Sequence, residues 1–215
     1  THIHLVRHGE VHNPGGVLYG RLPHFHLSEN GKQMAEAAAR ALADSGVKPV
    51  KLVVSPLLRT QQSAEPIAKQ FSLKPDLDER IIEPFNIFEG RKVTAKTVLL
   101  RPHLVFHLRN PMQPSWGESY VSVVERMMES MREAVESVKD GHVVFVTHQL
   151  PIWMVHRDVN GKNLFHDPRA RRCTLSSITT LELIDPMKPE LGFVEVGYVE
   201  PAAELTATAL DVGAV

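Results

Sequence analysis

A chain of 215 residues with 43% hydrophobic and 23% charged content can bury a core without disulfides or a structural metal, and its length suits one globular domain. The formal net charge of −1 excludes a sequence-wide basic field of the kind that holds polyanions, so nucleic acid is not expected as a partner and anion recognition must be local. The lone Cys173 excludes an internal disulfide framework, no apolar stretch approaches the roughly 20 residues of a membrane span, and no secretory signal opens the sequence, so no membrane partner is expected and the cytoplasm is the expected compartment.

In chain order, "HIHLV" predicts a first strand that ends on Arg7 and His8 before the chain turns at Gly9. Ser28 is placed to cap a helix in which Met34, Ala37, Ala38, Ala41 and Leu42 recur at helical spacing, and Gly46 ends it. "VKLVVS" (50–55) predicts a second short strand, with Pro56 near the first turn of a helix that continues to about residue 69. Residues 83–117 are aperiodic, hold several prolines with Phe85, Phe88, Phe106 and Trp116, and read as an excursion over the domain. A helix is predicted over 118–139, with Val121, Val124, Met128, Met131, Val135 and Val138 on one stripe and Gly141 as its stop. "HVVFVT" (142–147) predicts a third buried strand, followed by a short helix at 152–158. "SITTLELI" (177–184) and "FVEVGYV" (193–199) close the sheet of a domain running over 1–200, and the Ala- and Thr-rich 201–215 reads as a loose tail. Strands alternating with helices predict an α/β sandwich whose sheet is mostly parallel.

The strand exits share a chemistry. The first ends at Arg7 and His8, the second leads into "SPLLRT" with Arg59, and the third ends at Thr147 and His148. Ligands of open parallel sheets bind beyond the carboxyl ends of the strands, so these four side chains are expected to converge although they are far apart in sequence. Two Arg and two His around one pocket call for an anion, and phosphate matches the bidentate geometry of guanidinium groups.

"LVRHGE", "SPLLRTQQSA" and "VVFVTHQ", in that order and with "PSWGES" between the last two, resemble the histidine phosphatase superfamily, also called the phosphoglycerate mutase-like family, over residues 3–153. The resemblance implies a three-layer α/β/α sandwich with a mostly parallel central sheet, a transiently phosphorylated histidine, and neither metal nor other cofactor. It implies His8 as the nucleophile, Arg7 and Arg59 as phosphate clamps and His148 as the second pocket histidine, taken as protonated. The work that Mg²⁺ does in other phosphoryl transfers then falls to these cations. The segment "DERIIEPFNIFEG" implies Glu83 as the proton donor to the leaving oxygen. Asn13, Gln149 and Arg21 complete the expected phosphate-binding set. His8 must attack while neutral, so its other ring N–H is expected to donate to a backbone carbonyl at the Gly9 turn.

Some positions depart from the family's pattern. The acid segment lacks the usual Gly before its final Glu-Gly and is one residue shorter, which leaves Glu89 and Glu10 as competitors for the acid role. Val11 stands where a hydroxyl is usual, Asn13 arrives one residue early, and Gln149 replaces a common Gly. These differences favour hydrolysis over mutase chemistry. Glu118 is read either as a first-turn helix residue or as a carboxylate near the second histidine. Arg169, Arg171 and Arg172 are read as a solvated loop, with a grip on an anionic substrate tail as the alternative. Phe85, Phe88, Trp116 and Trp153 are read mainly as core or lid packing, with a substrate pocket as the alternative.

Among twelve histidines, the pairs His2/His4, His24/His26 and His103/His107 have spacings that put two rings on one face, yet no third ligand with coherent spacing accompanies them, so no metal site is expected. His24 and His26, with Arg21, are placed at the pocket mouth instead. The expected function is hydrolysis of a small phosphorylated metabolite through a phosphohistidine. The alternatives are phosphoglycerate mutase-type transfer and a phosphate-binding regulatory module without turnover. A homodimer is left open.

Overall fold

The computed structural model describes residues 1–86, 88–90, 92, 117–138 and 140–211. Its sheet holds six strands: β1 (His2–Arg7), β2 (Pro49–Val54), β3 (Pro75–Leu77), β4 (His142–Thr147), β5 (Ile178–Leu183) and β6 (Phe193–Val199), in the order β3-β2-β4-β1-β5-β6. The pairs β2–β3, β2–β4 and β1–β4 are parallel, while β5 and β6 join antiparallel at the edge beyond β1. The strand β3 has no counterpart in the sequence reading, since Pro-Asp-Leu is too short to show an alternating pattern.

The helices are α1 (Glu29–Asp44), α2 (Leu58–Phe71), α3 (Tyr120–Glu136), α4 (Gln149–Val159) and the short α5 (Ala203–Thr206). Ser28 and Ser119 cap α1 and α3 by accepting the backbone N–H groups of Gly31 and Ser122. The helix α4 starts at Gln149, three residues before the expected position, because His148 already stands at its N-cap.

Side-chain alternation along the strands builds the layers. Ile3, Leu5, Val143 and Phe145 pack with the apolar stripes of α3 and α4 on one face. Val6, Leu52, Val54, Val144 and Val146 pack with α1 and α2 on the other. The result is the three-layer α/β/α sandwich, with both faces of the central strands β1, β2 and β4 covered and the edge strands β3 and β6 partly exposed. Among the described residues, no helix is long and apolar enough to cross a membrane.

Residues 201–211, expected as part of a loose tail, are packed against the domain. Leu205 and Ala209 pack against Met34, Leu175 and Ala202, Asn30 Nδ2 donates to the Leu205 carbonyl at 3.1 Å, and the Leu210 N–H donates to Glu10 Oε1 at 2.7 Å. Its few apolar side chains find a small cluster of their own, which a low-hydrophobicity stretch does not announce in sequence.

Register sets the site. Arg7 lies beside Thr147, and Val54 beside Val146, so the exits of β2, β4 and β1 are neighbours. The first turn of α1 abuts the β1 exit through two glycines. A Cβ on Gly31 would meet the Glu10 carbonyl oxygen at 2.0 Å, and one on Gly9 would meet the Gly31 carbonyl oxygen at 2.4 Å. Both obstacles are backbone, so neither can rotate away. Gly31→Ala is therefore expected to lower stability by about 1–3 kcal/mol through forced overpacking. A fall in the urea midpoint checks this, and an unchanged midpoint would refute the close approach.

Candidate active site

His8 follows the last residue of β1 and is 3% exposed. Its Nδ1 lies 2.8 Å from the Gly9 carbonyl, an acceptor only, so the proton sits on Nδ1 and Nε2 keeps its lone pair. Burial first, and then the charges of Arg59 and Arg7, push the pKa of His8 well below 6.5, which keeps the ring neutral. Nε2 makes no hydrogen bond among the described residues.

His148 leaves β4 with its ring centroid 5.3 Å from that of His8. Its Nε2 is 2.7 Å from Ser55 Oγ at the β2 exit, and its Nδ1 is 3.2 Å from Arg59 Nη2. A guanidinium can only donate, so Nδ1 accepts and the proton is on Nε2. This corrects the expectation of a protonated His148. Burial and then the Arg59 charge hold its pKa well below 6.5.

The two guanidinium groups are each 1% exposed. Arg59, in the first turn of α2, also donates to the Gly20 carbonyl at 2.7 Å and lies 4.7 Å over the Tyr19 ring. Arg7 donates from Nη1 to the Cys173 carbonyl at 2.6 Å. Asp211 takes both terminal nitrogens of Arg7 end-on, at 2.8 and 2.5 Å. Burial opposes the charge on Arg7, and Asp211 more than restores it, leaving the pKa above its ordinary value. Among the described residues, the Nε atoms of both arginines and Oε2 of Glu83 are buried without a hydrogen-bond partner.

Glu83 Oε2 stands 3.8 Å from His148 Nδ1. Burial raises the pKa of Glu83 against the opposing pull of Arg59, Arg171, Arg7 and Arg126. The competing acids are otherwise engaged. Glu89 Oε1 accepts the backbone N–H groups of Arg21 and Asn86, while Glu10 accepts from Ser28 Oγ and the Leu210 N–H. Glu118 is held by both sides of Arg126 and by Ser122. Of these carboxylates, Glu83 alone has a buried oxygen without a hydrogen bond among the described residues.

The remaining expected residues are placed less directly. Arg21 donates from Nε to the Glu83 carbonyl at 2.6 Å, which braces the acid segment. Asn13 closes its own loop, Nδ2 to the Val17 carbonyl and Oδ1 from the Val17 N–H. Gln149 begins α4, and its side chain bridges the Cys173 carbonyl and Arg171. Arg171 is 9% exposed, against the expectation of a solvated loop, whereas the Arg169 side chain is 89% exposed. Phe88 is buried against Leu18, Trp153 lies in the core under α3, Phe85 is exposed, and Trp116, His103 and His107 lie outside the described residues. Both ring nitrogens of His4 are engaged by Thr180 and His142, and His26 stacks on His12. Among the described residues no group of three His, Cys, Asp or Glu is arranged to hold a metal.

Sequence reasoning missed Ser55, Tyr19, Asp211 and the Cys173 carbonyl. Ser55 was within reach, because it follows β2 as His8 follows β1. Nothing in the sequence tied Asp211 to a residue 204 positions earlier.

Comparison with known proteins agrees with this geometry. An uncharacterized Mycobacterium tuberculosis protein, Rv0525, is 46% identical over 204 residues, covering 94% of this chain and 98% of its own. The metal-independent phosphoserine phosphatase of Arabidopsis thaliana is 30% identical over 155 residues, 69% of this chain and 64% of that protein. Among solved structures, a mycobacterial glucosyl-3-phosphoglycerate phosphatase superposes with a TM-score of 0.69 at 26% identity, covering 84% of this chain and 89% of the other. The profile of the histidine phosphatase superfamily (branch 1) matches residues 3–191, and the chain belongs to that family.

Proposed function

We propose that the protein is a metal-independent phosphomonoesterase that works through phospho-His8 on a small phosphorylated metabolite. One observation carries the reading: the free lone pair of His8 Nε2 lies within electrostatic reach of Arg7 and Arg59, which act on Glu83 as well, and each of these three residues has a buried polar atom without a hydrogen bond among the described residues, two of them donors for an oxyanion and one the oxygen of a carboxyl group. Phosphatases of phosphorylated carboxylic acids among the relatives, a phosphoserine phosphatase and a glucosyl-3-phosphoglycerate phosphatase, support it.

In this reading Arg7 and Arg59 hold the phosphoryl oxygens while His8 Nε2 attacks phosphorus. The new P–N bond forms as the ester P–O bond breaks, and the departing oxygen takes its electron pair and the proton of Glu83. Glu83, now a carboxylate, removes a proton from water. That oxygen attacks phosphorus, the P–N pair returns to His8, and inorganic phosphate leaves. Gln149, Arg21 and Asn13 serve as supporting phosphate-site residues, Arg21 through its hold on the Glu83 segment. His148, neutral and donating to Ser55, lines the pocket with a lone pair shared by Arg59.

Steady release of phosphate from p-nitrophenyl phosphate in excess EDTA, abolished by His8→Ala and inhibited by vanadate, is the expected outcome. Phosphate binding without release would favour a regulatory module, and a rate dependent on added zinc would overturn metal independence.

The raised pKa of Glu83 and the lowered pKa of His8 give the sign of the pH dependence. The acid must be protonated and the nucleophile neutral, so kcat/KM for an alkyl phosphate is expected to fall as pH rises through the pKa of Glu83. Glu83→Gln should lower that kcat/KM by about 10²–10⁴-fold and cost an aryl phosphate with a good leaving group far less. Equal losses for both substrates would remove Glu83 as the acid.

Asp211 in this scheme orients Arg7, because it occupies the end-on edge and leaves Nε toward the anion. Asp211→Asn is expected to weaken inhibition by vanadate about tenfold, the loss of one charge-assisted contact. Tighter inhibition would instead identify the tail carboxylate as a competitor of substrate.

A further inference from the structure

The sequence 167–172, Asp-Pro-Arg-Ala-Arg-Arg, carries three arginines that the fold treats differently. Arg169 folds back on Asp167 at 2.8 Å, and Arg172 pairs with Glu195 at 2.5 Å. Arg171 is the most buried of the three, and among the described residues no carboxylate pairs with it. The residues outside the described set contain no Asp or Glu at all, so none of them brings an acidic side chain to it. A buried guanidinium without a counter-ion is costly and calls for an explanation.

Its surroundings are built to hold it in place. Arg171 Nε donates to His166 Nε2 at 2.8 Å, and Nη1 lies 3.3 Å from Gln149 Oε1. His166 can accept because its Nδ1 proton is donated to the Leu164 carbonyl at 2.8 Å. Burial pushes the pKa of His166 down to about 4, so the ring stays neutral beside the guanidinium. Tyr120 and Trp153 flank the imidazole, with ring centroids 5.6 and 6.1 Å away.

The placement is adjacent to the phosphate pocket. Gln149, which accepts from Arg171, follows the pocket histidine His148 and also donates to the Cys173 carbonyl at 3.3 Å. That same carbonyl accepts from Arg7 at 2.6 Å. Arg171 is also close enough to Glu83 and Arg7 for the charges to act on one another. A ligand whose phosphoryl group is held by Arg7 and Arg59 would therefore have a second fixed cation nearby, joined to the first by three hydrogen bonds through the Cys173 carbonyl and Gln149.

Resting on the phosphatase reading above, we propose that Arg171, held by His166 and Gln149, is a second anion-recognition point that selects phosphomonoesters carrying another anionic group, a carboxylate or a second phosphate. A fixed guanidinium fork fits either group with paired charge-assisted hydrogen bonds. A neutral alcohol in its place would leave the buried cation uncompensated, which supplies discrimination.

The test compares 3-phosphoglycerate with glycerol 3-phosphate, which differ by a carboxylate against a hydroxymethyl group, and adds propane-1,3-diyl bisphosphate as the second-phosphate arm. The readout is the ratio of kcat/KM values in the wild type and in Arg171→Met. Any change at Glu83 that the substitution causes is common to all substrates and cancels in the ratio. Preference for one or both anionic substrates in the wild type, collapsing by about 30-fold in Arg171→Met chiefly through KM, is expected. Partial retention in Arg171→Lys should follow, since the charge remains and the fork is lost. A ratio that moves less than about threefold in both arms would overturn the proposal.

The same ligands are then titrated calorimetrically into His8→Ala and into the His8→Ala/Arg171→Met double variant, which requires no turnover. Selective weakening of the anionic ligands without hydrolysis by the wild type would end the phosphatase reading and leave the subsite standing. Hydrolysis with equal losses across substrates would end the subsite and leave the phosphatase, and absence of binding by any of the three would end both.

Discussion

The interior of this protein contains two guanidinium groups of like charge, each almost fully removed from water, at the exit of one sheet. Burying one such charge is expensive and burying two beside each other is more so, unless opposite charge is supplied. The supply is uneven. Arg7 receives the Asp211 carboxylate directly, whereas among the described residues Arg59 binds a carbonyl and an imidazole lone pair and lies over Tyr19, with Glu83 and Glu89 acting on it without a direct ion pair. The missing negative charge explains the protonation pattern around it. Both histidines are driven neutral, first by burial and then by the arginines, and the nearby Glu83 is kept from ionising easily by its own burial. A bound dianion would relieve the repulsion between the guanidinium groups and satisfy their orphaned Nε atoms in one step.

That arrangement depends on parts of the chain that look unrelated in sequence. Glu10 accepts from the Ser28 hydroxyl with one oxygen and from the Leu210 N–H with the other, so the cap of α1, the β1 exit and the C-terminal segment share one carboxylate. Leu210 in turn precedes the residue that clamps Arg7. The glycine contact between the β1 exit and α1 brings these groups close enough for a single side chain to link them. The pocket and the tail are thus stabilised together.

The scaffold was legible because its signals are periodic. Alternation in "HIHLV" and "HVVFVT" places hydrophobic side chains on both sheet faces, and parallel register follows from the intervening helices, so Arg7, His8, Arg59 and His148 could be brought to one edge from sequence alone. Residues delivered by loops were not legible. Arg169, Arg171 and Arg172 are chemically alike in sequence, and only the loop path decides that Arg171 is buried without an ion pair among the described residues while Arg169 and Arg172 pair with Asp167 and Glu195. The neutral state of His148 was not legible either, for a related reason. A histidine among phosphate ligands suggests a cation, but its partners are an arginine donor and a serine hydroxyl, and two neighbouring guanidinium groups oppose a third positive charge.

The shortened acid segment shows how the fold replaces a missing sequence feature. In place of the glycine that the family's pattern leads one to expect, Glu83, Asn86 and Glu89 are locked against residues 20–21. Arg21 Nε holds the Glu83 carbonyl, and Glu89 Oε1 accepts the N–H groups of both Arg21 and Asn86. Gly20, at φ +39, lets the two loops meet, for a Cβ there would lie 2.2 Å from Glu89 Oε1. The Gly20 carbonyl also accepts from Arg59, so the same turn that braces the Glu83 segment braces a guanidinium across the pocket from it. The carboxyl of Glu83 and the cation of Arg59 are positioned by one interlock, and a displacement of either loop would move both.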